Sequence, residues 1–258
     1  MSRIKNVFAQ KPKRVLNIYC TAGYPHLHST LEVMTALQKH GADIIELGMP
    51  YSDPLADGEV IQASSAKALE QGMGIAVLLG QLAGFRQQIQ VPVVLMGYMN
   101  PVLQYGFEKF CAEAAAVGVD GLILPDLPLY EYETEYGAIV KKYGLDFIFL
   151  VTPETSAERI RQIDGLGSGF IYAVSSSSTT GKNKPIAEQT PYFERLQQMQ
   201  LQNPVLVGFG IKDKASFEAA CQFTHGAIVG TAYIKALEGA DDLGAATEKF
   251  LKEVFGNG

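Results

Sequence analysis

The sequence predicts one α/β domain, a (β/α)8 TIM barrel with extra N-terminal and loop helices that spans residues 1–258. Eight short apolar runs alternate with longer amphipathic stretches, which is typical of a parallel sheet covered by helices. The length of 258 residues is ordinary for a closed barrel of eight such units. No linker divides the chain, so all of it is assigned to one domain.

The apolar runs supply the expected strands, because they are short and rich in β-branched residues. Amphipathic spacing between them predicts helices at Thr30–His40, Phe107–Ala116, Ser156–Ile163 and Ser216–Cys221. The eight strands are expected at Val15–Tyr19, Asp43–Leu47, Val91–Met96, Gly121–Leu124, Asp146–Leu150, Phe170–Val174, Val205–Val207 and Ala227–Val229.

Composition argues for a globular enzyme and against several other classes of protein. Hydrophobic residues make up 47% and charged residues 19%, which supports a core and excludes disorder. The net charge is −6 and the longest basic cluster is Lys11, Lys13 and Arg14, so we expect no nucleic-acid partner. No apolar run approaches the ~18 residues of a membrane helix, and the segment Met1–Arg14 has no apolar core of the length of a signal peptide, so neither is expected.

Cysteine and histidine patterns point to no metal site and no thiol chemistry. The three cysteines, Cys20, Cys111 and Cys221, form no Cys-x-x-Cys motif, which favours a reducing, cytoplasmic setting. Cys20 reads as a small buried residue. The four histidines show no ligand or triad spacing: His26, His28, His40 and His225.

One carboxylate, Glu46, stands inside the apolar run Asp43–Leu47. Barrel strands are buried on both faces, so a glutamate there is unfavourable unless hydrogen bonds or a function compensate for its burial. Desolvation raises the pKa of a carboxyl group, which suits a general acid or base near neutral pH. Barrel active sites lie at the C-terminal ends of the strands, so we favour a catalytic role for Glu46 over a structural one.

The loop after this strand carries two more carboxylates. Asp57 precedes a glycine and Asp53 precedes a proline, and turn formation explains either one about as well as function does. A carboxylate at a strand end and another in the next loop can still face one pocket. The pair Glu46 and Asp57 suits proton shuttling without a metal.

Two glycine-rich turns near the C-terminus predict a phosphate site. Val207-Gly-Phe-Gly-Ile211 ends the seventh strand, and Gly226-Ala-Ile-Val-Gly-Thr231 carries the eighth strand into a helix. Glycine lets backbone N–H groups approach an anion, and a helix N-terminus adds a favourable dipole. Turn geometry explains either motif alone, but barrels commonly bind phosphate between these two loops.

A small-residue segment, Ser175–Gly181, follows the sixth strand. Its side chains bury little, so a mobile loop is expected. It is either a plain surface loop or, since it lies at the end of the barrel that carries active sites, a lid.

Together these motifs resemble the tryptophan synthase alpha subunit family, from about Tyr19 to Thr231. The longest and most specific is Glu46-Leu-Gly-Met-Pro-Tyr-Ser-Asp-Pro-Leu-Ala-Asp-Gly58. Glu59 departs from the family pattern, which often has proline there, and Thr231 replaces a serine but keeps the hydroxyl. The other motifs are Thr21-Ala-Gly-Tyr-Pro25, Leu95-Met-Gly-Tyr-Met-Asn-Pro101, Pro125-Asp-Leu-Pro128, Thr180-Gly181, Gly208-Phe-Gly-Ile211 and Gly226-Ala-Ile-Val-Gly-Thr231.

The resemblance implies a retro-aldol cleavage of indole-3-glycerol phosphate to indole and glyceraldehyde 3-phosphate. It implies that Glu46 moves protons between the glycerol hydroxyl and the indole ring carbon. It also implies that Asp57 accepts the indole N–H and stabilises the charge that develops there. The implied substrate-binding residues form the indole pocket, the lid and the phosphate cradle: Ile61, Tyr98, Tyr172, Thr180, Gly181, Phe209, Gly210, Gly230 and Thr231.

The resemblance further implies a beta-subunit partner that carries pyridoxal phosphate, in an assembly of two alpha and two beta chains. This chain is expected to hold no cofactor itself, since no lysine lies in a matching motif. Partner contacts are expected from exposed loops beside the active site: Pro50, Asp53, Asn100, Pro101, Asp126 and Pro128.

Two other functions compete with this interpretation. Another phosphate-binding barrel, such as an isomerase or indole-glycerol-phosphate synthase, would share the glycine loops but not the 46–58 motif. A catalytically silent barrel that only binds a partner could keep both Glu46 and Asp57.

Overall fold

The computed structural model describes residues 2–174, 189–208 and 210–255. Every strand pairing in it is parallel, as continuous apolar strands separated by helices predict. The strands are β1 (Val15–Thr21), β2 (Ile44–Gly48), β3 (Val93–Met96), β4 (Gly121–Ile123), β5 (Asp146–Phe147), β6 (Leu150–Val151), β7 (Ile171–Val174), β8 (Val205–Gly208) and β9 (Gly226–Val229). They form one sheet in the order β5-β4-β3-β2-β1-β9-β8-β7-β6.

The sheet closes into a barrel at β5 and β6, which are its two edges and yet are consecutive in the chain. Only Ile148 and Phe149 separate them. The Ile148 N–H donates to the Leu122 carbonyl at 3.0 Å, and the Phe149 carbonyl accepts from the Tyr172 N–H at 2.9 Å. The single strand predicted at Asp146–Leu150 is therefore two short strands, because this stretch changes its pairing from β4 to β7. The pair occupies one position in a barrel of eight, which confirms the predicted fold.

Helices follow the strands, and the four predicted ones are present with ends moved by three residues or fewer. The helices are α1 (Arg3–Gln10), α2 (Thr30–Lys39), α3 (Glu59–Glu70), α4 (Ile75–Gln81), α5 (Met99–Tyr105), α6 (Phe107–Val117), α7 (Leu129–Glu131), α8 (Gly137–Lys142), α9 (Ala157–Leu166), α10 (Thr190–Gln198), α11 (Lys214–Phe223), α12 (Thr231–Leu237) and α13 (Leu243–Phe255). A π-helical turn, Tyr132–Tyr136, joins α7 to α8, and a 3-10 turn lies at Phe85–Gln87.

The N-terminal helix α1 packs against the amino-terminal end of the barrel. Ile4 is fully buried, and its side chain lies against Gly169, just before β7. The preceding residue, Arg3, donates from Nη1 to the Asp120 carboxylate at 3.0 Å. Asp120 also accepts from the Arg86 guanidinium and from the Val93 N–H, the latter at 2.8 Å. This end of the barrel is therefore held together by a paired, hydrogen-bonded carboxylate.

The core is continuous around the barrel and includes all three cysteines, which are buried and form no disulfide. Within the described residues, no single helix has the length and apolar character needed to cross a membrane. One helix pair, 59–70 with 75–87, meets that test only when taken together, and it is bent by 84°.

Candidate active site

Glu46 lies in the middle of β2, where its Cα is the register partner of Tyr19 on β1. The glutamate is only 1% exposed, and Asn17 Nδ2 donates to its Oε2 at 2.8 Å. Burial raises the pKa of Glu46 to about 8; the hydrogen bond from Asn17 lowers it and the charge of Asp57 raises it further. Glu46 is thus a carboxyl group that can hold or release a proton near neutral pH, as the sequence predicted.

Asp57 lies in the loop after β2, where its N–H donates to the Pro54 carbonyl at 3.2 Å in a turn. Burial raises the pKa of Asp57 to about 6, and a hydrogen bond from the Tyr98 hydroxyl acts in the opposite direction. Since the charge of Asp57 acts on the pKa of Glu46, the structure brings the two carboxyl groups to one pocket. Asp57 therefore forms the turn and also belongs to the pocket that contains Glu46.

Tyr98 ties the Asp57 loop to the end of β3. Its hydroxyl accepts the Ala56 N–H at 3.1 Å and is also hydrogen-bonded to Asp57. Burial, and then the charge of Asp57, raises the pKa of Tyr98, so the phenol stays protonated and can donate. Its ring packs on Tyr51 with centroids 5.3 Å apart. The family resemblance implied a position in the indole pocket for Tyr98 but not this contact with the neighbouring loop.

Two buried tyrosines, Tyr19 on β1 and Tyr172 on β7, complete the pocket wall. Burial is the main cause of the raised pKa of each phenol, and the charges of Glu46 and Asp57 add to both shifts. Glycines leave room for the rings: a β-carbon at Gly48 would lie 2.1 Å from the Tyr19 hydroxyl. At Gly208 it would lie 2.3 Å from the Tyr172 hydroxyl. These two glycines are therefore spatial requirements of the site.

The predicted phosphate residues lie at the same, carboxyl-terminal mouth. Gly230 precedes α12 and adjoins the pocket, since a β-carbon there would lie 3.4 Å from Tyr19 Cβ and 3.6 Å from Ile61 Cδ1. Thr231 opens α12 and is exposed. Gly210 is exposed and has φ +78°, a conformation that favours glycine. The remaining predicted substrate residues, Thr180, Gly181 and Phe209, lie outside the described residues, as does the predicted lid Ser175–Gly181.

Of the residues predicted to contact a partner, Asp53, Asn100, Asp126 and Pro128 are exposed. Pro101 is half-buried. The expectation of an exposed loop is wrong for Pro50, which is buried because the chain is still bonded to the sheet one residue earlier: the Met49 N–H donates to the Met96 carbonyl at 2.7 Å.

The expected Asn100-Pro101 turn is instead the start of α5. Proline is tolerated in the first turn of a helix, where its missing N–H needs no partner. Both carboxylate oxygens of Asp126 accept the Met99 N–H at 3.0 Å, which holds this helix end to the loop after β4.

A second cleft, of about 500 Å³, opens between the loop after β4 and α9. It contains none of the residues predicted to bind substrate, and its two charged residues, Glu154 and Arg159, are exposed. Buried carboxyl groups with raised pKa values occur at the Glu46 pocket, so we assign the chemistry there. Among the described residues, no cluster of three or more His, Cys, Asp or Glu side chains could hold a metal ion.

Besides Tyr19, the sequence analysis missed one polar residue of the site, Asn17. It stands in the run Val15–Tyr19 as the one polar amide, and it is fully buried in β1. The reasoning that singled out Glu46, a polar side chain in an apolar barrel strand, would have found it.

The barrel carries two carboxyl groups with raised pKa values at its carboxyl-terminal mouth, beside a helix that begins directly after a glycine. These features define an enzyme of the acid–base, phosphate-binding barrel class. The family model described as tryptophan synthase alpha chain matches residues 6–256, so the chain belongs to the tryptophan synthase alpha chain family.

Individual relatives and solved structures lead to the same family assignment. The tryptophan synthase alpha chain of Parabacteroides distasonis is 49% identical over 253 residues, covering 98% of each chain. Tryptophan synthase subunit alpha from Legionella pneumophila superposes with a TM-score of 0.89 at 35% identity, covering 99% of this chain and 97% of that one. A chain of tryptophan synthase from M. tuberculosis gives a TM-score of 0.85 at 34% identity, covering 98% and 100%.

Proposed function

We propose that Glu46 and Asp57 carry the chemistry of this lyase, which cleaves indole-3-glycerol phosphate to indole and glyceraldehyde 3-phosphate in tryptophan biosynthesis. In that reaction the bond between the indole ring carbon and the glycerol carbon breaks. The ring carbon gains a proton and the glycerol hydroxyl loses one, so the reaction is balanced without an oxidant or a metal. The alternative barrel enzymes are not favoured, because the chain belongs to the alpha chain family.

The observation that supports this proposal is the buried Glu46 carboxyl, whose pKa of about 8 keeps it largely protonated at neutral pH. Protonated Glu46 gives its proton to the ring carbon. The resulting carboxylate then takes the proton of the glycerol hydroxyl as the carbon–carbon bond breaks and the aldehyde forms. Glu46 ends the cycle protonated, ready for another substrate.

Asp57 has the complementary role. Protonation of the ring carbon places positive charge on the indole nitrogen, and an anionic group that accepts the indole N–H stabilises that charge. The pKa of Asp57, about 6, leaves it ionised where Glu46 is still protonated. The Tyr98 hydroxyl holds the loop so that the carboxylate faces the pocket.

We propose that the phosphate binds at Gly210, Gly230 and Thr231 with help from Gly181, that Thr180 belongs to the lid, and that Phe209 also binds substrate; Thr180, Gly181 and Phe209 lie outside the described residues. Backbone N–H groups near a helix start suit a phosphate dianion. Ile61 lies against Gly230 and Tyr172 lines the inner wall, so the indole and glycerol parts would lie between this cradle and Glu46.

We also propose that the chain works in the cytoplasm with a beta subunit that holds the pyridoxal phosphate, in an assembly of two alpha and two beta chains. Three buried, unpaired cysteines suit a reducing compartment. Exposed apolar side chains support a partner surface at the carboxyl-terminal mouth: Leu55 is 85% exposed and Tyr130 is 71% exposed. Leu55 lies two residues after the exposed Asp53, and Tyr130 lies two residues after the exposed Pro128. Pro50 is buried, so it would contribute by holding the shape of the loop and not by direct contact.

The test is an assay of the purified chain with indole-3-glycerol phosphate, measuring aldehyde release with and without a beta subunit. Asp57→Asn should lower turnover strongly with little change in melting temperature. Glu59→Gln is the matched control, because it removes an exposed carboxylate two residues away. Equal turnover of both variants and the parent would refute the role of Asp57. Failure of the two proteins to co-elute at micromolar concentration, with unchanged turnover, would refute the partnership.

A further inference from the structure

Asn17 is a buried amide whose one side-chain hydrogen bond among the described residues runs to the reacting glutamate. It is 0% exposed on β1, with Ile44 and Ile228 as its register partners on β2 and β9. Its Nδ2 donates to Glu46 Oε2 at 2.8 Å. Hydrophobic neighbours on both sides would accommodate an aliphatic residue, so packing alone does not account for an amide here.

The other end of the amide is unpaired. Among the described residues, Asn17 Oδ1 is buried and has no hydrogen-bond partner. An unsatisfied buried oxygen destabilises a folded chain, and buried polar groups are usually paired. The amide is thus kept at a cost in stability, and the bond that it gains in return is the one from Nδ2 to Glu46.

We propose that Asn17 is a positioning residue that holds the Glu46 carboxyl in one orientation in both of its protonation states. Towards the carboxylate the amide donates through Nδ2. Towards the protonated acid the same Nδ2 donates to the carbonyl oxygen of the carboxyl group, which leaves the acid O–H directed at the substrate. The hydrogen bond to the charged form is the stronger of the two, so the amide favours the carboxylate. This inference rests on the proposed acid–base role of Glu46.

The surroundings of Glu46 make the Asn17 amide important. The titratable groups that interact electrostatically with it are Asp57 from the loop after β2, Tyr19 and Cys20 from β1, and Tyr172 from β7. None of these four groups is a cation: Asp57 is a carboxyl group, and the two phenols and the thiol are neutral. Burial and Asp57 both raise the pKa of Glu46, and the hydrogen bond from Asn17 opposes them. Without the amide, the carboxylate formed during turnover would lose its donor.

The test uses Asn17→Val, which removes both hydrogen-bonding atoms at similar size and suits a strand. Carboxyl carbons of glutamate are labelled with ¹³C, the Glu46 signal is assigned by its loss in Glu46→Gln, and its titration midpoint is measured by NMR. We expect the midpoint in Asn17→Val to rise by about one pKa unit, since a hydrogen bond to a charged group is lost. The alkaline limb of the kcat/KM profile should move up equally, and kcat should fall.

Ile18→Val is the matched control. Ile18 is the next residue on the strand and is also buried, but its side chain points to the opposite face. The substitution therefore shortens a buried side chain without changing the contacts of Glu46. Its midpoint should equal that of the parent. If Asn17→Val fails to fold, Asn17→Ala removes the same atoms and gives the same readout. An unchanged Glu46 midpoint in either folded variant overturns the proposal. This outcome is separable from failure of the proposed function, which would show as normal turnover in Glu46→Gln.

Discussion

Buried carboxylates at the two ends of the barrel have opposite surroundings. At the amino-terminal end, Asp120 is 6% exposed and accepts hydrogen bonds from Arg3, Arg86 and the Val93 N–H. At the carboxyl-terminal mouth, Glu46 is 1% exposed, has one amide donor and lies near a second carboxyl group. Within the described residues, the charge of Asp120 is compensated by cations, whereas no cation compensates the charge of Glu46.

The difference shows how one fold separates stability from chemistry. A carboxylate with two guanidinium partners fastens α1, the turn after α4 and β3 to each other. A carboxyl group buried without a cation is poised to exchange its proton. The uncompensated site is tolerated because the rest of the barrel stabilises the fold.

The largest expected effect comes from removing the uncompensated carboxyl group, and it is an effect on turnover. Glu46→Gln keeps the shape and the hydrogen bond from Asn17 but removes the titrating group. General acid–base catalysis contributes ~10²–10⁴-fold, so we expect a fall in kcat of that order with the fold retained. Turnover is measured by aldehyde release and the fold by circular dichroism. Near-normal kcat in a folded variant would contradict the assignment of Glu46.

The same substitution should alter how stability depends on pH. The folded chain keeps a proton on Glu46 up to a pKa of about 8, whereas an unfolded glutamate, with a pKa near 4.5, has released it. The folded state therefore binds more protons, and the stability due to Glu46 is lost as pH rises through about 8. From pH 6 to 9 the parent should lose roughly 3 kcal/mol more than Glu46→Gln. Urea unfolding at each pH measures this; parallel curves would show that Glu46 is not perturbed.

Asp120→Asn tests the compensated end. Breaking a fully buried ion pair costs ~3–5 kcal/mol, and the partial exposure of Arg3 reduces this, so we expect a loss of about 2–3 kcal/mol in unfolding free energy. Turnover per folded molecule should not change, because Asp120 is at the end opposite the pocket. A variant that keeps its stability but loses activity would reverse the roles assigned to the two ends.

The sequence predicted most of the barrel and part of the site, for physical reasons that differ between residues. All eight strand positions follow from short apolar runs, but the split at Ile148 and Phe149 does not, because it arises where the ring closes between β4 and β7. Local pattern does not record which neighbours a strand will have.

Within the site, Glu46 was predictable because a charge in a buried strand is unfavourable, and Asn17 carried a weaker form of the same signal. The contact of Tyr98 with Ala56 and Asp57 was not predictable, since it joins two loops 42 residues apart. Pro50 appeared to lie in an exposed loop because a proline-rich segment resembles one, although the hydrogen bond of Met49 continues the sheet beneath it.

The smallest expected effect comes from the contact that positions Asp57. Tyr98→Phe removes the hydroxyl that accepts the Ala56 N–H and donates to Asp57, but it keeps the ring that packs on Tyr51. Loss of one hydrogen bond to a charged group, ~1.5 kcal/mol, should lower kcat/KM about tenfold. Because that bond lowers the pKa of Asp57, its loss should also move the acidic limb of the kcat/KM profile to higher pH.

A double-mutant cycle decides whether Tyr98 acts through Asp57. If it does, Tyr98→Phe should cost little in an Asp57→Asn background, because the carboxylate it positions is already gone. Tyr51→Phe is the matched control: its hydroxyl accepts from Asn100 Nδ2 at 3.2 Å, outside the pocket, and its loss should leave the acidic limb in place. Additive losses from Tyr98→Phe and Asp57→Asn would instead mean that the phenol contacts the substrate independently.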